Sequence, residues 1–449
     1  MGASRRACAP ARAAVIAYAG TYALPAAASP VAIDVRVQGG SAIVSLGPGH
    51  AAAQRVAVTL HGTRIRFALP GLPQHVVFDG AVRGGRVTGG VRQGAVRGTF
   101  SLRRGASKIV ELLGVFRSGA GAGVAVTEAD GLPPTLIEFP SGAVHGIGPS
   151  LTVGERLGDK RGNGSIVTDA TGFTWKGAHY ARLPLRQREV RVGVDAATLT
   201  LPSGAGPFAA VAMVHGAGPR TRDEFDIFTA YLALNGIAVL ADDKRGVGES
   251  RAVYPGDDAS AANIDLLVGD AQREVALLAT LPQVDRSRIG LFGDSQAGWI
   301  SPLAAARDAR VHWLVSNSGP TVSVGETDDW ASLAGESQTP PVGTRAQMLA
   351  QVRKDGSSGL DAGPSLRKLA IPALWMFGSD DRNVPTELCV ERLQALKPGH
   401  DFSWVVLPTA HTPLVLPTGL LSSLPQSPGF DPGFFPALGN WLRGHRLIG

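Results

Sequence analysis

The chain has 449 residues, 44% hydrophobic and 18% charged, a globular composition with room for two or three domains and with no run near the ~20 consecutive apolar residues of a membrane-spanning helix. Its formal charge of +6 comes mostly from scattered arginine, with no basic block interleaved with aromatics, so nucleic acid is not the expected partner. The two cysteines, Cys8 and Cys389, exclude a disulfide framework.

Residues 1–30 begin with Arg5, Arg6 and Arg12, continue through an alanine-rich apolar segment and reach Ala26-Ala27-Ala28-Ser29. This tail reads either as a cleavable export signal or, from Tyr18 to Leu24, as the first strand of the next domain. Gly20, Thr21 and Pro25 interrupt the apolar segment, which favours a cytoplasmic location over export.

Residues 31–108 have a period of two. Ile33, Val35 and Val37 alternate with Asp34 and Arg36, and Ile65, Phe67 and Leu69 with Arg64 and Arg66. Glycine pairs at Gly39-Gly40 and Gly84-Gly85 mark tight hairpins, so an antiparallel β module with one wet face is predicted. Residues 109–185 form a second β-rich stretch, with strands expected near Gly123 to Thr127, Leu136 to Phe139, Ser165 to Thr168 and Phe173 to Trp175. Periodicity does not decide whether the two stretches make one domain or two.

From residue 186 to the C-terminus, strands alternate with helices, the pattern of a mostly parallel sheet covered on both faces. Strands are predicted at Glu189 to Val194, Thr198 to Leu201, Phe208 to Val214, Ile237 to Ala241, Arg288 to Phe292, Val311 to Ser316, Ala373 to Phe377 and Phe402 to Leu407. Leu267, Ala271, Val275 and Leu278 repeat at helical spacing. Thr386 is expected to cap a helix reaching Leu396, on which Cys389 packs with Leu393 and Leu396 as a small hydrophobe.

The stretch Leu291-Phe-Gly-Asp-Ser-Gln-Ala-Gly-Trp299 ends the fifth of these strands and opens a helix. A serine at a sharp strand-to-helix corner projects its hydroxyl into open space beside backbone N–H groups, the geometry of a nucleophile elbow. Gly293, Ser295 and Gln296 fit the G-x-S-x-G form, whose last place is taken here by Ala297, with Gly298 next.

A serine hydroxyl needs a base to take its proton and a carboxylate to orient that base. Asp381 lies just beyond the seventh strand, at the expected place for the acid, with Asp380 as its neighbour and alternative. His411 follows the last strand and precedes a helix expected near Phe434 to Leu442; His400 and His445 are placed less well. His215-Gly216-Ala217-Gly218 ends the third strand, where a backbone N–H can face a tetrahedral oxygen together with the N–H of Gln296. Ala217 is assigned that N–H, with Gly216 as alternative and His215, Gly216 and Gly218 as the supporting loop.

The segments HGAGPRTRDEF, GIAVLADDKRGVGES and LFGDSQAG, in that order, resemble bacterial α/β-hydrolase esterases of the serine-aminopeptidase-like and prolyl-oligopeptidase-related group. The resemblance runs from about Arg191 to the C-terminus and implies an α/β-hydrolase fold of eight strands, with a β-rich N-terminal extension of a kind this group often carries. It implies a lid at about 321–369, with Trp330 and Leu333 serving an acyl pocket or packing. It makes Asp243, Arg245, Gly246, Gly248 and Ser250 a structural loop behind the site; Arg222-Asp223-Glu224 either brace the oxyanion loop or begin a helix, with bracing preferred. Asp294 departs from the family pattern and puts a carboxylate beside Ser295. The expected activity is cleavage of a carboxylic ester through a Ser295 acyl-enzyme, on a small-molecule substrate and without metal or organic cofactor. An acyl-CoA thioesterase or peptidase of the same fold is the nearest alternative. An inert hydrolase fold carrying a ligand-binding β module is the alternative from another class. The natural substrate, the acyl length and the oligomeric state are not legible in the sequence.

Overall fold

A computed structural model of the chain describes residues 16–24, 31–38, 40–46, 54–69, 75–105, 112–127, 135–147, 151–154, 162–336, 340–411, 413–415 and 429–449. Two compact units divide at Glu111 and Leu112.

In the first unit, eight antiparallel strands from Ile16–Ala23 to Val96–Arg104 close into a barrel, the first pairing with the last. The two-residue alternation sets which side faces in. Along Arg64–Leu69, Ile65, Phe67 and Leu69 are buried while Arg64 and Arg66 are exposed. Gly84 and Gly85, both at positive φ (54° and 76°), form the tight turn expected there; Gly39 lies outside the described residues. Rings of Tyr22, Phe67 and Phe100 surround Phe78 with centroids 5.3, 4.7 and 5.3 Å away, so this part of the interior is packed with side chains. The barrel starts at Ile16 rather than at the expected boundary of 31, because Tyr18 and Tyr22 turn inward and close it. Cys8 lies outside the described residues.

In the second unit, an antiparallel sheet of seven strands takes in Gly114–Ser118, Gly123–Thr127, Thr135–Phe139 and Ala178–Arg182. Val115, Ile137 and Phe139 bury one face of it against Tyr231, Phe435 and Leu438. The question left open by periodicity is thereby decided: the second β-rich stretch belongs with the C-terminal unit, not with the barrel.

The remaining sheet has eight strands, numbered here β1 (Arg186–Val192), β2 (Asp195–Leu201), β3 (Phe208–Val214), β4 (Ala238–Asp242), β5 (Val284–Asp294), β6 (Trp313–Asn317), β7 (Ala373–Gly378) and β8 (Phe402–Leu407). Their spatial order is β1-β2-β4-β3-β5-β6-β7-β8. β2 runs antiparallel to both of its neighbours, β1 and β4, and the other neighbouring pairs are parallel. Side chains alternate between two cores. Ala210, Ala212, Leu291 and Leu314 face helices α2 (Ala261–Thr280), α3 (Ala297–Arg307) and α6 (Thr386–Leu396). Val211, Met213, Phe292 and Val315 face α1 (Asp226–Leu234) and α7 (Phe434–Gly444). Residues buried on both sides explain the near-continuous apolar runs of the central strands.

Between β6 and β7 the chain inserts α4 (Val324–Ala334) and α5 (Arg345–Asp355). Ser323 and Thr344 begin them with capping boxes closed by Glu326 and Gln347. Thr386 does not cap α6 as expected. It is the first residue of that helix, and its hydroxyl donates to the Gly378 carbonyl at 2.7 Å, tying α6 to the end of β7. Among the described residues no helix is long and apolar enough to cross a membrane.

Candidate active site

Three strand ends of the parallel sheet supply the site. Ser295 follows β5 with φ of 48°, a left-handed value that costs a non-glycine residue energy and holds the hydroxyl clear of the chain at the corner. Its N–H donates to the Asn317 carbonyl at 3.0 Å, and its carbonyl accepts from Gly298 N–H at 2.8 Å. The methyl of Ala297, the departure from the elbow pattern, is buried against Gly293, where a β-carbon would lie 2.5 Å from it. Gly298 lies where a β-carbon would come within 2.5 Å of Pro320 N, so the glycine displaced by one place serves the close crossing of α3 with the loop after β6.

Asp381 and His411 are brought together by pairing of the loops that leave β7 and β8. Ser379 N–H donates to the Leu407 carbonyl at 2.7 Å and Asp380 N–H to the Thr409 carbonyl at 2.9 Å. Gly378 lets these loops approach, since a β-carbon there would collide with the carbonyls of Thr409 and Ala410. His411 Nε2 then lies 2.9 Å from Ser295 Oγ and Nδ1 lies 2.8 Å from Asp381 Oδ2. Asp381 is fully buried, and its other oxygen accepts the N–H groups of Asn383 and Val384 at 2.8 and 2.9 Å. Asp380 is exposed and does not reach the imidazole's partner position. His400 is bound to the Leu396 carbonyl at 2.7 Å, and the His445 ring lies tilted against Trp441 with centroids 4.4 Å apart. Burial by itself would push the His411 pKa down. The Asp381 carboxylate and its hydrogen bond outweigh that and, with Asp294 and Glu336, hold it above the ordinary imidazole value.

The loop after β3 passes close over the elbow, since a β-carbon on Gly216 would stand 3.1 Å from Ser295 Cβ. Gly216 N–H donates to Asp294 Oδ1 at 3.0 Å and Gly218 N–H to Asp257 Oδ1 at 2.5 Å. Among the described residues the N–H groups of Ala217 and Gln296 have no acceptor. Two unpaired donors beside a nucleophile can receive a developing oxyanion, and the Gly216 alternative is already engaged.

His215 points away from the nucleophile into the protein. Its Nε2 donates to the Asp242 carbonyl at 2.7 Å and Nδ1 faces Glu224 at 3.4 Å. Burial opposes its charge, but Asp242 and Glu224 prevail and raise its pKa to about 10. Arg222 begins a turn of 3-10 helix and is buried in a web of hydrogen bonds, to Asp243 at 2.9 and 2.8 Å, to Glu249 at 3.1 Å and to Glu189. Asp243 also accepts Glu249 N–H at 2.8 Å, and Ser250 Oγ donates to the Asp243 carbonyl at 2.6 Å. These contacts fasten the loop after β4 beneath the oxyanion loop.

Asp294 is held up to about 6, chiefly by burial and by the nearby Glu224, against the pull of His215, His411 and Arg220. Trp330 is fully buried in the core, and its Nε1–H donates to the Asp381 carbonyl at 3.1 Å, so α4 braces the acid loop. Leu333 packs against the same core.

Two polar partners of the site went unread in the sequence. Asp257 sits in a stretch without periodicity. Lys244 lies inside a segment taken as structural, yet its ammonium donates to the Gly216 carbonyl at 2.8 Å and to Gln296 Oε1 at 3.2 Å. A lysine two residues beyond the apolar strand β4, where burial is expected, was the available signal. Among the described residues no three His, Cys, Asp or Glu side chains are grouped to hold a metal ion.

Residues 205–355 match the family model described as serine aminopeptidase, S33. Esterase FrsA of Enterobacter sp. (strain 638) is 30% identical over 117 residues, which are 25% of this chain and 26% of that protein. The match thus spans about a quarter of that relative. Among solved structures, the esterase Pf2001 of Pyrococcus furiosus aligns with 16% identity and a TM-score of 0.42, covering 60% of this chain and 92% of its own. Dienelactone hydrolase from Anabaena variabilis aligns with 18% identity and a TM-score of 0.37, covering 58% and 98%.

Proposed function

We propose that this protein, an α/β-hydrolase preceded in the chain by an antiparallel β-barrel, is a serine hydrolase that cleaves carboxylic esters through a covalent acyl-enzyme. The observation that carries the reading is the unbroken hydrogen-bonded line from Ser295 Oγ through His411 to the buried Asp381 carboxylate. In this reading His411 Nε2 takes the Ser295 proton as Oγ bonds to the ester carbonyl carbon. The carbonyl oxygen becomes an oxyanion held by the N–H groups of Ala217 and Gln296, each of which is worth about 3 kcal/mol of transition-state stabilisation. The tetrahedral adduct then expels the alcohol, which leaves with the proton from His411. Water, deprotonated by the same nitrogen, attacks the acyl-enzyme, and collapse returns the acid and the free Ser295 hydroxyl. Asp381 keeps Nδ1 protonated and offsets the charge of the imidazolium without itself taking a proton.

The test is Ser295→Ala, compared with the wild-type protein on a short-chain aryl ester and with a fluorophosphonate label located by peptide mapping. Turnover and labelling are expected to vanish while the circular dichroism spectrum is unchanged. Label found on another serine overturns the reading. A parallel panel of ester, thioester and aminoacyl substrates separates the esterase from the thioesterase and the peptidase.

A further inference from the structure

The N–H assigned to the oxyanion belongs to Ala217, and the carbonyl of that same peptide group belongs to Gly216. A trans peptide is planar, with its C=O and N–H pointing to opposite sides. Whatever grips the Gly216 oxygen therefore decides where the Ala217 N–H points. The grip comes from the Lys244 ammonium, 2.8 Å from that oxygen, on a residue only 3% exposed.

The second donor is tied to the same ammonium. Lys244 Nζ also donates to Gln296 Oε1 at 3.2 Å, and Gln296 supplies the other unpaired N–H. The Gln296 amide nitrogen donates in turn to the Asp257 carbonyl at 3.2 Å, and Asp257 Oδ1 accepts the Gly218 N–H at 2.5 Å. The ring runs from Gly216 through Lys244, Gln296 and Asp257 to Gly218, and it encloses Ala217. Asp294 holds the preceding peptide back, at the Gly216 N–H, 3.0 Å away. An ammonium buried this deeply costs folding free energy, and burial pulls the Lys244 pKa down to about 8 against the support of Asp257 and Asp294. A hydrophobe could fill the space without that cost but could not hold a carbonyl.

We propose that Lys244 is the positioning residue of the oxyanion hole, holding the Gly216 carbonyl and the Gln296 side chain so that both backbone donors stay aimed at the tetrahedral oxygen. The inference rests on the serine-hydrolase reading and adds to it a residue that touches no substrate. It predicts that removing the ammonium weakens binding of the transition state and leaves binding of the ester ground state unchanged.

The experiment uses the full chain and a short-chain aryl ester. Lys244→Met is expected to lower kcat about 10²-fold, the scale of one lost oxyanion donor, with KM within about threefold of wild type. Affinity for a trifluoromethyl ketone, which forms a tetrahedral adduct, should fall in step with kcat. Lys244→Arg, which restores a cationic donor, should recover part of the loss. If Lys244→Met does not fold, Gln296→Met removes one arm of the ring while leaving Ser295 and His411 in place, and about a tenfold loss of kcat at constant KM is expected. Wild-type kcat in either folded variant, or a loss confined to KM, overturns the proposal. The two readings fail separately: turnover surviving in Ser295→Ala defeats the serine hydrolase, whereas an unaffected Lys244→Met enzyme still labelled at Ser295 defeats the clamp alone.

Discussion

Gly293 and Ala297 meet across the nucleophile elbow, so closely that a β-carbon on Gly293 would stand 2.5 Å from the Ala297 methyl. The contact explains how the elbow tolerates alanine in its last position: the room the second glycine would have left is found at the first. Gly293→Ala should push Ser295 out of line and lower kcat by at least about 10²-fold, because displacements near 1 Å at a reacting atom cost that much. Ala297→Gly should keep kcat within about threefold and lower stability by up to ~1 kcal/mol through helix propensity. Aryl-ester kinetics and urea unfolding of the two variants test the pair, and equal activities would contradict the packing argument.

His411 must be neutral to accept the Ser295 proton, so kcat/KM should fall as pH drops through its pKa. Asp381 raises that pKa, which places the acid limb above the ordinary imidazole value near 6.5. Asp381→Asn should cut kcat by roughly 10³ to 10⁴-fold and move the limb of the residual activity to lower pH. A pH profile of both proteins reads the shift; an unmoved limb would mean that another group sets it.

Asp195 is buried, neither of its carboxylate oxygens has a hydrogen-bond partner among the described residues, and burial together with Asp242 raises its pKa to about 7. The folded state therefore keeps a proton that the unfolded chain releases near 3.9. Stability from this group is full below that value, falls as pH rises toward 7 and stays reduced above it. Asp195→Asn escapes the loss and should stabilise the C-terminal unit by roughly 1–3 kcal/mol at pH 8, with little effect at pH 4. Denaturant midpoints at the two pH values decide it, and a gain of equal size at both would sink the explanation.

Arg222 and Asp243 are 2% and 0% exposed and face each other through two hydrogen bonds. Arg222→Met strands a buried carboxylate, which should cost about 3–5 kcal/mol. Replacing both partners with apolar residues should recover much of that. Thermal unfolding of the single and double variants provides the comparison, and a single variant as stable as wild type would show that the web does not fasten the loop.

The sequence by itself named Ser295, Asp381 and His411 and put them in their order, because elbow, strand and loop signals are local and each residue type is limited to a few chemical roles. It also marked the alternation that closes the barrel and the eight strands of the mostly parallel sheet, since periods of two and of 3.6 are written along the chain. Only the tertiary structure engaged the alternative Gly216 N–H, through an acceptor on Asp294, and left the alternative Asp380 exposed while burying Asp381. Only it joined residues 112–185 to the C-terminal unit and brought Lys244 under the oxyanion loop. The physical reason is common to all four: a hydrogen-bond partner or a packing face is fixed by distance in space, and these partners lie tens of residues or more from one another, or differ only in which way one side chain turns.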